Sequence, residues 1–556
     1  MLEAALEALI AILQPITLLW LAFGVGIGLM VGLIPGLGGT VGLALLLPLV
    51  YGMDPVPALT MMVGLLAVNN TSDTFPAVLL GVPGSGGGAS TIIDGFPLAK
   101  QGKAGRALGA AFSASMFGGI IGALAFFLII PVAQPLVLAA GSPEMFMLAL
   151  FGLCMVGILS RGRSPVAGLL LGALGMLAST IGAAPASPEY RFTFGISYLV
   201  DGFPLVIVVM GLFAIPELIE LIRRDRTIST LGATLQGGRF EGATDVFKHK
   251  WLVVRSSIMG VVLGAIPGVG GSATTWIMYG LTSQSYRDKS QFGKGDIRGV
   301  IGPEAANNSN DAGSLMPTLL FGVPGSGSMA VLLGGLVLLG VQPGPQLIQN
   351  DLPLLMTVAW SLALANILGT TVCFLLRNRI AKLTTIKPGS LVPFLFVAMM
   401  IGAFQSHVAA GDLMLLLIIG AFGWLVMRAG WSRAPFLIGF VLGPITERYL
   451  HISIDRFGPE FLLRPGVIII GIFIIAILAL GLARPKAMKV LQDPTEEAIE
   501  APIRRILRRA RKRLGLPTTM SVPIVTPTMH DASAKHATDT DNAPAASRTT
   551  RKENGE

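Results

Sequence analysis

The sequence predicts an all-α polytopic membrane protein built from two inverted-topology repeats with broken helices and re-entrant hairpins. Three observations carry that expectation. The composition is apolar and arranged in span-length runs, three sequence blocks occur twice in the same order, and the bias of basic residues reverses between the copies.

Composition comes first. Of 556 residues, 53% are hydrophobic and 13% charged, whereas a soluble domain carries about a quarter charged residues. The mean hydropathy is +0.72. Phe112–Ala133, Phe203–Ile219, Leu354–Leu375 and Val467–Leu482 are near-continuous apolar runs, and the longer ones reach the roughly 20 residues that cross a bilayer core. The short alternating strands of a membrane β-barrel are not seen. Ala11–Met30 reads as a retained helix, because Glu3 and Glu7 precede it where a secretory signal would be basic. Cys154 and Cys373 sit singly in apolar runs, as small buried hydrophobes do. The net charge of +9 gathers in loops and in Arg504–Arg513, so it reports membrane topology and not nucleic-acid binding.

The repeats come next. "GLIPGLGGT" (Gly32–Thr40) returns as "GAIPGVGGS" (Gly264–Ser272), and "NNTSD" (Asn69–Asp73) as "NNSND" (Asn307–Asp311). "FPAVLLGVPGSG" (Phe75–Gly86) returns as "MPTLLFGVPGSG" (Met316–Gly327). The expected domains are a first membrane repeat over 1–222, a cytoplasmic linker over 223–250 and a second repeat over 251–483. A basic, partly disordered cytoplasmic tail fills 484–556. Within it, Arg504–Gly515 reads as a helix on the anionic membrane face, and the chain beyond Pro517 is too polar to fold alone.

Basic residues set orientation, because short cytoplasmic loops collect Lys and Arg. After the first Pro-Gly-Ser-Gly turn comes basic "KQGKAGR" (Lys100–Arg106), while its counterpart "VQPGPQLIQND" (Val341–Asp351) has no basic residue. Before the polar block the bias reverses: "YGMDPVP" (Tyr51–Pro57) has none and "SYRDKSQFGKGDIR" (Ser285–Arg298) has many. Matching elements therefore face opposite sides, with the N-terminus periplasmic and the C-terminus cytoplasmic. Arg161 and Arg163, Arg223–Arg226, Arg377–Lys387, Arg428–Arg433 and Arg484–Lys489 fit this alternation. Arg448, Arg456 and Arg464 do not, which makes Pro435–Phe461 the least determined crossing.

The repeated blocks carry the chemistry. Prolines 35, 76, 83, 267, 317 and 324 are expected to break helices at the polar stretches, and the adjoining glycines permit tight turns. Non-helical backbone at membrane depth survives only where it lines a cavity or is buried in protein. Broken helices at matching places in inverted halves mark a secondary transporter with its site near the midplane. Half-helix N-termini attract a carboxylate. The candidate substrate-binding residues are accordingly Asn70, Thr71, Gly84, Ser85 and Gly86 in the first half, with Asn308, Ser309, Gly325, Ser326 and Gly327 in the second. Ser85 and Ser326 would also serve as helix caps. Oxygens of Asn69, Ser72, Asp73, Asn307 and Asp311, with the turn glycines Gly36 and Gly268, are the candidate ligands of a coupling Na+, and a proton could use the same carboxylates. Asp94 reads as structural. Glycine-rich turns are often packing contacts alone; two copies beside two Asn-Asn blocks favour binding.

Other classes fit less well. "GVPGSGGGAS" lacks the Lys-Ser/Thr of an ATP-binding loop. Ser85 as a protease nucleophile has no nearby base, so the chain does not read as an enzyme. A stand-alone cation/carboxylate exporter or a channel is the alternative.

At "GLIPGLGGTVGLALLLPL", "NNTSDTFPAVLLGVPGSGGGASTIIDGFPLAKQGKAGRALG" and "GPEAANNSNDAGSLMPTLLFGVPGSG" the chain resembles the large membrane subunit of the tripartite tricarboxylate transporters. The resemblance spans roughly Leu9–Leu482. It implies a cation-coupled importer of the bacterial inner membrane for citrate or another organic carboxylate. Its implied partners are a small four-helix membrane subunit, a periplasmic solute-binding protein and membrane lipid, with no nucleic acid.

Overall fold

The computed structural model describes residues 1–159, 164–185, 187–223, 238–383 and 388–483. Arg161, Arg163, Arg224, Arg226, Lys387 and the whole basic tail lie outside the described residues, as does half of the expected linker, 224–237.

The first half runs through α1 (Leu2–Ile12), α2 (Pro15–Leu33), α3 (Gly38–Val50), α4 (Pro55–Ser72), α5 (Thr74–Leu80), α6 (Ile92–Lys100), α7 (Ala104–Ala139), α8 (Ser142–Leu159) and α9 (Pro165–Ala178). A minimal antiparallel hairpin, β1 (Gly182–Ala183) with β2 (Tyr190–Arg191), pairs Gly182 with Arg191. α10 (Leu205–Val209) then continues through a π-helical turn, Met210–Ala214, into α11 (Ile215–Arg223). The second half holds α12 (Arg239–Lys248), α13 (Lys250–Gly264), α14 (Gly270–Ser285), α15 (Arg298–Phe321), α16 (Gly327–Leu338), α17 (Pro345–Asn350) and α18 (Leu352–Leu383). It closes with α19 (Val392–Phe404), α20 (Ala410–Arg428), α21 (Ala434–Phe457) and α22 (Pro465–Ala483).

Among the described residues, seven helices are long and apolar enough to cross a membrane; three of the four expected runs fall within them, and Phe203–Ile219 starts two residues before its span, Leu205–Arg223. The molecule is a multi-pass, all-α membrane protein. Ala11–Met30 is not one helix. Gln14 is extended at ψ 139°, and Pro15 starts α2, because proline disfavours helix in the residue before it and suits a first turn. The Pro435–Phe461 region forms α21 as far as Phe457 and then enters a 3-10 turn, with Pro435 to Gly443 buried throughout. There Gly439 and Gly443 press against Gly172 of α9 and Ser179 at its C-terminal end. Just beyond this region, the exceptional charge Arg464 is matched in a partly exposed pair with Glu144 at 2.9 Å, and Arg191 of the hairpin binds Glu447 at 2.9 Å.

Glycines set the closest helix contacts. Gly24, Gly28 and Gly32 of α2 meet Met61, Leu65 and Asn69 of α4 in ascending order, so these helices run parallel. Gly260 and Gly264 of α13 meet Ala306 and Asn310 of α15 in the same sense. Small residues of this kind let helix backbones touch where lipid supplies no hydrophobic drive. The halves also exchange partners. α7 packs on α15 and α12, while α18 packs on α4 and α1, where Trp360 Nε1 donates to Ala5 O at 3.0 Å. α12 lies at the start of α7, Gly242 against Arg106 and Ala110. It also lies at the end of α18, Phe240 against Phe374. α7 and α18 are therefore antiparallel, meeting at Gly119 and Asn366.

Candidate functional site

Each half ties its first glycine turn to its Pro-Gly-Ser-Gly turn. The Gly36 N–H donates to Gly84 O at 3.1 Å, and the Gly268 N–H donates to Gly325 O at 2.8 Å. Gly36 and Gly268 take φ of +95° and +89°, a left-handed conformation that glycine alone adopts freely. Their N–H groups are thus committed to the turns. Only their carbonyls remain as possible cation ligands.

The polar blocks themselves are helical, contrary to the sequence expectation. α4 runs through Ser72, and α15 runs unbroken from Arg298 to Phe321. The irregular backbone sits instead at the glycine–proline turns 34–37, 81–86, 265–269 and 322–326. Pro35, Pro83, Pro267 and Pro324 lie in these turns, whereas Pro76 and Pro317 lie inside helices. The reason is local. A proline removes one helical hydrogen bond, and short polar side chains return theirs to the helix. The Ser309 hydroxyl donates to Ala305 O at 2.9 Å, and that of Ser72 to Asn69 O at 3.2 Å.

Where α4 and α15 cross, the two blocks bind one another. Asn70 Nδ2 donates to Asp311 Oδ2 at 2.9 Å, and Asn307 Nδ2 to Asn70 O at 3.3 Å. Asn308 Nδ2 donates to Thr71 Oγ1 and to Asn366 Oδ1, both at 2.8 Å. Asp73 is instead held within its own half. The Ser85 hydroxyl donates to its carboxylate while accepting the Gly87 N–H at 3.1 Å. All these side chains except Asn70 and Ser85 are buried. Four acceptor oxygens of this belt, Asn69 Oδ1, Asp73 Oδ1, Asn307 Oδ1 and Asn308 Oδ1, are buried and have no hydrogen-bond partner among the described residues. Each such orphan costs about 1–3 kcal/mol, and oxygens of this kind are what a hard cation takes.

Ser326 and Gly327 stand apart from that crossing. Ser326 caps α16, accepting the Met329 N–H at 3.3 Å. Two residues on, Ser328 bonds Thr40 of α3 at 2.8 Å, hydroxyl to hydroxyl. The N-termini of α3 and α16, one from each half, therefore converge, and both present partial positive charge. In the first half, Gly86 leads only into the 3-10 turn Gly87–Ala89, so no half-helix starts at Ser85. Asp94 accepts from the Gly293, Gly295 and Asp296 N–H groups at 2.8 to 2.9 Å and from the Tyr279 hydroxyl at 3.0 Å. It organises the 286–297 loop.

Sequence reasoning missed one acidic residue and one amide. Glu304 lies fully inside the protein on α15, and Asn366 on α18 completes the Asn308 contacts. The available signal was a single acid in the stretch Val300–Ala306 just before the second Asn-Asn pair, and a lone acid deep in a membrane protein is a functional-site pointer by itself.

Buried polar groups concentrated where two halves of a helical membrane protein cross mark a protein that moves solutes. The chain belongs to the tripartite tricarboxylate transporter TctA family, whose sequence model matches residues 18–438. The family is one of transporters, not of enzymes, and works in tripartite systems. The chain is 31% identical over 439 residues to an uncharacterized 52.8 kDa protein in the TAR-I ttuC' 3' region of Agrobacterium vitis, covering 79% of this chain and 87% of that protein. It is also 32% identical over 192 residues to an uncharacterized protein in the TAR-II ttuC' 3' region of the same organism, covering 34% and 79%. No solved structure matches.

Proposed function

We propose that this chain is the large membrane subunit through which a tricarboxylate-type organic acid enters a bacterial cell across the inner membrane, driven by Na+. A periplasmic solute-binding protein delivers the acid and a small four-helix subunit completes the membrane complex. Transport proceeds by alternating access between halves of opposite orientation, with the N-terminus periplasmic and the C-terminus cytoplasmic. The observation that carries this reading is the crossing of the two Asn-Asn blocks, whose residues carry four orphan acceptor oxygens. Asn69, Asp73, Asn307 and Asp311 supply hard oxygens to the cation, and a proton is the competing occupant of the two carboxylates. The carboxylate is held by backbone N–H groups at the α3 and α16 N-termini, each worth about 0.3–2 kcal/mol. That weak attraction suits a step that reverses each cycle better than a buried arginine would.

The test is uptake of labelled organic acids into proteoliposomes holding both membrane subunits. Uptake should require an inward Na+ gradient and the binding protein together. Uptake without the binding protein would favour a stand-alone carrier, and uptake indifferent to Na+ would remove the coupling assignment.

A further inference from the structure

One buried carboxylate takes no part in the crossing blocks. Glu304, one turn before Asn307 on α15, is 1% exposed. Three hydroxyls, all from the first half, hold its two oxygens. Thr74 of α5 donates to Oε2 at 3.1 Å, Thr91 ahead of α6 donates to Oε1 at 2.6 Å, and Ser115 of α7 donates to Oε2 at 3.0 Å.

Among the described residues, no ammonium or guanidinium joins this shell. The basic groups on the surrounding elements stand within two turns of their ends. Lys100 of α6 lies over the Phe96 ring at 4.4 Å, and Arg106 of α7 binds Asp245 at 2.6 Å. Arg298, at the start of α15, binds Asp296, and Arg255 of α13 donates to Ser285. Lys250 begins α13 in the open, and Arg377 and Arg379 are near the end of α18. The acids on these elements are Asp73, bound by Ser85, and Asp94, bound by the 293–296 backbone; Asp311 of α15 itself is bound by Asn70.

A carboxylate sealed from water among neutral donors is among the costliest groups a protein can bury, and it resolves that cost by taking up a positive charge. The fold does not need an acid here. The corresponding place in the first half, three residues before its Asn-Asn pair, is Leu66, buried at 4%. One further oxygen, Ser90 Oγ of the residue preceding Thr91, is buried without a hydrogen-bond partner among the described residues. Two carboxylate oxygens and the three hydroxyls bound to them, gathered at one buried group, match the oxygen shell of a small hard cation.

We propose that Glu304, Thr74, Thr91 and Ser115 form a site for one monovalent cation, Na+ or H+, separate from the crossing blocks and without a counterpart in the other repeat. Its occupant bridges α15 of the second half to three elements of the first, so binding fastens the halves together. The proposal deepens the cation-coupled reading above and rests on it.

Two measurements test it. In proteoliposomes with both membrane subunits, the number of Na+ and H+ moved per carboxylate is measured for the wild type and Glu304→Gln, which keeps the shape and removes the charge. Glu304→Gln should lose one cation from that number, and Thr91→Val should weaken the apparent affinity for the same cation roughly tenfold. An unchanged cation count in Glu304→Gln overturns the site, whereas a wild type coupled to neither ion refutes the underlying reading instead. The second measurement needs no variant. Dicyclohexylcarbodiimide, which attacks protonated carboxyls in apolar surroundings, is applied to the wild-type complex and modification of Glu304 is read by peptide mass spectrometry. Protection by Na+ but not by choline identifies a sodium site, and modification that falls as pH rises, indifferent to Na+, identifies a proton site. Modification that neither condition alters, or none under any condition, overturns the proposal.

Discussion

The two copies of the Asn-Asn block are close in sequence and unlike in what holds them. Asp73 is bound from within its own half by Ser85, and its helix pauses there before resuming at Thr74. Asp311 sits inside an uninterrupted α15 and is bound from the other half by Asn70. Ser85 serves a carboxylate, while its counterpart Ser326 caps a twelve-residue helix. Leu66 in the first copy holds the place that Glu304 holds in the second. The difference teaches that a duplicated backbone need not keep duplicated chemistry. One copy closes a pocket on itself, and the other clasps its neighbour.

The largest expected contrast is at the turn glycines. A Cβ at Gly84 would lie 2.5 Å from Gly32 O and 2.7 Å from Asp73 Cα, which are backbone atoms that cannot swing aside. At Gly325 the nearest atom would be 3.5 Å away, an ordinary contact. Gly84→Ala should therefore lower uptake roughly tenfold or more, and Gly325→Ala by less than about twofold, at matched membrane levels. Equal losses would break the comparison.

The carboxylates come next. Asp73→Asn should abolish Na+ stimulation in a protein that still inserts. Asp311→Asn keeps an oxygen for Asn70 and should only raise the half-saturating Na+ concentration, by about tenfold. Uptake against Na+ concentration separates the two.

The serines should show a smaller split. Ser326→Ala removes a helix cap, worth about 0.5–2 kcal/mol of stability, and should leave the Na+ response intact. Ser85→Ala takes the hydroxyl from Asp73 and should alter the Na+ response. Thermal unfolding with and without Na+ reads both. Smallest of all is Arg464→Ala, which removes a partly exposed ion pair with Glu144 and should cost at most about 1 kcal/mol.

Much of this was legible in the sequence, and the misses have physical causes. The apolar runs became helices because length and hydropathy leave little choice inside a bilayer. The glycine turns fell at Gly36 and Gly268 because only glycine takes those dihedrals. The expected break at Asn69–Asp73 did not follow, since polarity along a helix is absorbed by back-bonding and by the crossing partner. That partner is invisible until both halves are in place. Pro317 likewise sits in an intact helix. Glu304 was missed because its meaning depends on Thr74, Thr91 and Ser115, each ordinary in its own stretch. Pairings of Asn70 with Asp311 and Asn308 with Asn366 join residues far apart in the chain, and no local spacing announces them.

The central claim is that the two halves are inverted copies meeting at a shared polar belt, and sided labelling tests it most directly. Lys100 and Gln342, at matching places after the two Pro-Gly-Ser-Gly turns, are both exposed. Each is replaced singly by cysteine in a chain whose Cys154 and Cys373 have been removed. Sealed right-side-out vesicles are then treated with a membrane-impermeant maleimide. The account predicts that the cysteine at 342 labels at once and the cysteine at 100 only after the membrane is permeabilised. Labelling of both from the same side would contradict it.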